Sequence, residues 1–218
     1  MNQSTLIPST MLYRFAIPCH YCETSWSKSG VKLGNEHQVP NFGALDGRQQ
    51  LGNFWVAWHE DGIFVNCELK GKQQLPWCRD SRLDDSDGLQ VWIDTRATHN
   101  IHRASRFCHR FVFLPAGGGR RMVEPLSDQL LIERARENAN PVRPGVLKVR
   151  AQVGKENYRL EGFIPAEALT GYDPSEHPRL GFTYAIVDRE LGGQTMTVGS
   201  GLRFQEDPSL WSTLELIR

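Results

Sequence analysis

Residues 77–96, WCRDSRLDDSDGLQVWIDTR, set five aspartates (Asp80, Asp84, Asp85, Asp87 and Asp94) around one short apolar alternation. In Leu89-Gln90-Val91-Trp92-Ile93 the odd positions are aliphatic, and Gln90, Trp92 and Asp94 share the other parity. A period of two is that of a strand, whose successive side chains point to opposite faces. Leu89, Val91 and Ile93 are therefore expected in a core. Asp84 to Gly88 reads as the turn leading into that strand, since aspartate caps backbone amides and glycine accepts positive φ.

Working outward, strand signals recur at fairly even spacing. They fall at Tyr13–Ile17, Asn53–Leu69, Arg110–Pro115, Val146–Val153, Asn157–Ile164, Leu180–Val187 and Trp211–Ile217. Asp61-Gly62 splits the second stretch into two apolar runs, a strong local sign of a hairpin. Short links holding Gly, Asn or Pro point to antiparallel neighbours rather than to strand–helix–strand units. Helix is scarce. Ser127–Glu137 fits either about three helical turns behind a serine cap or a strand, and Pro165–Gly171 reads as one helical turn closed by glycine. The expectation is an all-β, antiparallel β-sandwich with at most one or two short helices. It would be a single domain over residues 1–218, with roughly the first 12 residues as an irregular arm.

Lys+Arg and Asp+Glu are both 25 in 218 residues, so no global charge points to nucleic acid or to an anionic membrane. The apolar runs fall far short of the ~20 residues that span a bilayer. The start, MNQSTLIPSTMLYRF, lacks the basic and apolar segments of a secretory signal. That places the protein in the cytoplasm, with Cys19, Cys22, Cys67, Cys78 and Cys108 as free thiols. There is no Ser-His-Asp motif, nucleophile elbow, dinucleotide fingerprint or phosphate loop, which favours a non-catalytic protein.

Several stretches in order carry a family likeness. They are the aromatic hairpin from Trp55 to Trp58 with Gly62 to Val65, then SDGLQVWIDTR, YRLEGFIPAEALTG, LGFTYAIVDRE and the late Trp211. Together, over roughly residues 50 to 215, they resemble the family 9 carbohydrate-binding-module-like domains, relatives of the DOMON sandwiches. The resemblance implies a jelly-roll-like sandwich, a sugar held between aromatic side chains, and structural calcium.

Calcium takes six to eight oxygens, and Asp80, Asp84, Asp85 and Asp87 with the remote Asp188 are the candidate ligands, although no EF-hand spacing is present. The same aspartates also read as a polar turn. From 96 to 121 the chain turns basic, with Arg96, Arg103, Arg106, Arg110, Arg120 and Arg121 beside His99, His102 and His109. These residues could form an anion or metal site, built on His99, His102, His109 and Arg106, that serves an enzyme. Equally, the arginines could pair with the aspartates across adjacent strands.

Flat aromatic faces are what sugar C–H surfaces stack on. By pattern Trp55 and Trp211 belong to the core, whereas Trp77 sits in a Pro-Trp-Cys-Arg loop and Trp92 lies opposite the aliphatic face. The expected function is a carbohydrate-binding module, possible calcium support included. Trp77 and Trp92 would stack on the ligand, and Arg79, Arg82 and Gln90 would hydrogen-bond to it. The alternatives are the metal- or anion-dependent enzyme and a protein-interaction domain with an exposed tryptophan face.

Overall fold

A computed structural model describes residues 9–199 and 201–218. Its strands are β1 (Ala16–His20), β2 (Gly52–His59), β3 (Gly62–Lys70), β4 (Gly88–Asp94), β5 (Cys108–Gly118), β6 (Glu124–Leu130), β7 (Lys148–Val153), β8 (Asn157–Pro165), β9 (Arg179–Asp188), β10 (Gly192–Thr195) and β11 (Ser212–Ile217). They form two sheets. One runs β1-β11-β9-β4-β5-β6 with β10 added to β9, and the other runs β2-β3-β8-β7. All pairings are antiparallel except β1 with β11. The expected all-β sandwich is therefore the observed architecture.

Alternation fixes which face of each strand is buried between the sheets. Phe54, Val56 and Trp58 of β2 and Ile63, Val65, Cys67 and Leu69 of β3 meet Leu89, Val91 and Ile93 of β4, with Phe111 and Phe113 of β5. Phe54 stacks on Tyr184 at 4.0 Å across the gap between the sheets. Each such aromatic contributes about 1.5–3 kcal/mol by leaving water. At the β2–β3 turn Gly62 has φ +145°, and a Cβ there would meet the Ile164 carbonyl at 2.1 Å. Only glycine lets β8 come that close.

Loops cover parts of both outer faces. The segment after β1 lays Cys22, Val31 and Leu33 over Ala57, Phe64 and Phe163. On the seven-stranded sheet, Ala104, Ile132, Val198, Phe204 and Trp211 cover Trp92, Cys108 and Ala185.

One open reading is decided and one expectation changes. Ser127–Leu130 belongs to β6, so no helix forms there, because its backbone completes the ladder to β5. Trp55 is half-buried on the outer face, since β2 places Phe54, Val56 and Trp58 inward instead. The irregular arm lies outside the described residues as far as position 8. Beyond it Ser9–Met11 form a 3-10 turn, with the Ser9 amide and Thr10 hydroxyl donating to Asp46. The Pro165–Gly171 turn forms as read, as a 3-10 turn at Ala166–Ala168. Among the described residues no helix is long and apolar enough to cross a membrane.

Candidate functional site

The connection from β3 to β4 narrows to a stem at Trp77 and Asp87. The Asp87 amide donates to the Trp77 carbonyl at 2.8 Å, and the Trp77 amide returns a bond to the Asp87 carboxylate at 2.9 Å. Inside the loop the Ser86 hydroxyl accepts from the Arg79 amide and donates to the Arg82 carbonyl. A short 3-10 turn at Leu83–Asp85 then brings the chain to Gly88. Gly88 has φ +156°, and a Cβ there would strike the Phe113 carbonyl at 2.4 Å, so glycine is what lets the loop enter β4 beside β5. These contacts hold the loop across the end of the outer sheet face.

That face gathers three polar side chains. The Arg110 guanidinium of β5 donates to Gln90 Oε1 at 2.7 Å and to the Asp84 carboxylate. Gln90 in turn donates to the Asp84 carbonyl at 3.0 Å. Arg110 also lies over the Trp92 ring at 5.1 Å, and its Nε is buried with no partner. Burial pulls the guanidinium below its ordinary range, against the pull of Asp84. It stays charged. Beside it opens a depression of about 390 Å³, lined by Asp80–Asp85 and by Leu130 of β6. Arg82 pairs with Asp85 on its rim. Carboxylate, guanidinium and amide groups side by side can both donate to and accept from ligand hydroxyls.

Trp77 is half-buried at the loop stem, with the Arg79 guanidinium 5.4 Å and the Arg189 guanidinium 4.7 Å from its ring. Trp92 is different. It is 1 % exposed beneath Phe204 and Trp211, so the expected pair of stacking tryptophans does not form. Its parity was read correctly, but loops cover the face it occupies. Arg82 lines the depression, Gln90 is buried behind Asp84, and Arg79 is exposed next to Trp77. Arg110 was missed as a site residue. Its signal was available, because pairing 88–94 against 108–118 sets it opposite Trp92 and two places from Gln90.

The five calcium candidates do not come together. Asp84 goes to Arg110, Asp85 to Arg82, and Asp80 is exposed. Asp87 and Asp188 do converge, but around the buried Lys72 ammonium. Its Nζ lies 2.5 Å from Asp188, 3.5 Å from Asp87 and 3.6 Å from Glu190. Among the described residues no cluster of three or more acidic, His or Cys groups is placed to hold a metal. A divalent cation at these carboxylates would lie against a fixed positive charge, so they do not fit calcium.

The histidine stretch is likewise dispersed. His99 bonds the Thr213 hydroxyl, His102 meets Asp207, and Arg106 faces Glu137 on the surface. His109 points into the sandwich beside Phe111, where burial pushes its pKa down to about 4. The structure therefore does not bring the alternative metal or anion site together. The five cysteines are unpaired, and burial raises the thiols of Cys67 and Cys108 to about 12.

Two solved structures share this architecture. Both are a carbohydrate binding module family 9 from Caldicellulosiruptor kristjanssonii, one in complex with cellotriose and one with glucose. Each is 12 % identical, with a TM-score of 0.62. The first match covers 93 % of both chains, and the second covers 93 % of this chain and 96 % of the other. The chain thus has a family-9-like β-sandwich fold. No protein-family model and no curated protein matches its sequence.

Proposed function

We propose that this protein is a non-catalytic module that binds carbohydrate where the Trp77–Asp87 loop meets the outer face of β4 and β5. The observation that carries the reading is the Asp84 carboxylate on the wall of an open depression, bonded from behind by the Arg110 guanidinium, which also holds Gln90. The fold likeness to sugar-bound modules supports it. Arg110 would donate to ring or hydroxyl oxygens through its planar fork, and Asp84 would accept from hydroxyls. Trp77 would offer a ring edge or face to the sugar C–H surface at the loop stem.

The test is a glycan array on the wild-type protein, followed by titration calorimetry with any glycan retained. Arg110→Ala should weaken binding by about 10- to 150-fold, the worth of a charged hydrogen bond. Trp77→Ala should weaken it as well. An array without binding, or binding indifferent to both changes, would overturn the reading.

A further inference from the structure

The acidic cluster under the Trp77 loop contains its own cation. Lys72 is 2 % exposed and faces the carboxylates of Asp87, Asp188 and Glu190. Backbone amides complete the coordination of those carboxylates. Trp77 and Arg189 donate to Asp87, Glu190 and Leu191 donate to Asp188, and Gln73 and Gln74 donate to Glu190. The Lys72 amide itself donates to the Glu156 carbonyl at 3.0 Å, in the turn from β7 to β8. One ammonium therefore ties together the entry to the loop, its stem at Asp87 and the β9–β10 turn that carries Arg189. Both sheets are joined at this point.

We infer that Lys72 does the work of a structural divalent cation in this chain, fixing the Trp77 loop without a metal. A carboxylate group of this size buried without a counter-charge would be driven apart or protonated. Here burial opposes the ammonium, but the Asp188 hydrogen bond and the charges of Asp188 and Asp87 outweigh it and hold Lys72 above the ordinary lysine range. Three oxygens at 2.5, 3.5 and 3.6 Å are held by a point charge with three donors, which suits a lysine better than a forked guanidinium. Lys72 is thus a positioning residue for the loop. Its link to ligand binding rests on the proposed sugar site, but its link to the cluster does not.

The experiment is thermal unfolding of the wild type and Lys72→Ala, each in millimolar calcium and in chelator, with no sugar present. The wild type should melt at the same temperature in both. Lys72→Ala should melt roughly 10 °C lower in chelator, the shift expected from breaking a buried ion pair in a chain of this size. Calcium should restore several degrees of that loss, because the freed carboxylates then offer oxygen ligands to a hard cation. A purely packing role for Lys72 would lower the melting point without creating calcium dependence. If Lys72→Ala does not fold in chelator, Lys72→Gln is read in the same way, since it keeps a donor but loses the charge. A calcium-dependent melting point in the wild type, or indifference to calcium in both variants, overturns the inference.

Discussion

Asp84 and Asp87 lie three residues apart in one aspartate-rich turn and have opposite surroundings. Asp87 is 1 % exposed, takes two backbone amides and faces the Lys72 ammonium. Asp84 is exposed and turns the other way, onto Arg110 at the edge of a depression. The turn at Leu83–Asp85 and the stem at Trp77 and Asp87 separate them. One half of the stretch builds the fold, and the other half faces solvent where a ligand can reach it. The same residue type does both jobs because burial, and not identity, sets what a carboxylate costs and what it can bind.

Breaking the buried half should produce the largest effect. Asp188→Ala leaves the Lys72 charge facing one fewer carboxylate in a dry site, and should cost about 3–5 kcal/mol in denaturant unfolding. A loss under 1 kcal/mol would mean that the cluster relaxes into water. The exposed half should respond in binding rather than stability. Arg110→Ala should lose about 1.5–3 kcal/mol of glycan affinity, read by calorimetry.

His109 offers a second probe of a buried ionisable group. In the fold its pKa lies at about 4 because of burial, whereas the unfolded chain titrates at 6.5. Its stabilising contribution is therefore complete above pH 6.5 and is lost as the pH falls towards 4, by at most about 3 kcal/mol. His109→Phe should flatten that part of the stability–pH curve, and an unchanged slope would assign it to other groups. The smallest effect belongs to the rim. Arg82→Ala breaks a solvent-exposed pair with Asp85 and should change stability by about 1 kcal/mol or less.

Much of the fold was legible because alternation and burial say the same thing along most strands. Leu89, Val91 and Ile93 are core residues as their parity requires. Asp61-Gly62 marks the β2–β3 hairpin for a local steric reason. What stayed hidden was non-local. β6 could not be told from a helix, since only its partner β5 decides the matter. The parallel pairing of β1 with β11 joins the two ends of the chain and leaves no local trace. At the candidate site the outward parity of Gln90 and Trp92 was readable, but Trp92 is covered by Phe204 and Trp211, more than a hundred positions later in the chain. Lys72 had no signal of its own, because a single lysine after a strand reads as a solvated residue.

The central claim is that the exposed half of this stretch is a ligand surface. It is tested most directly by titrating wild type and Arg110→Ala against the best glycan from an array, with melting curves recorded on both. The account predicts saturable binding by the wild type and at least a tenfold loss in the variant, with Arg110→Ala still folded. Equal affinity in the two folded proteins would contradict it.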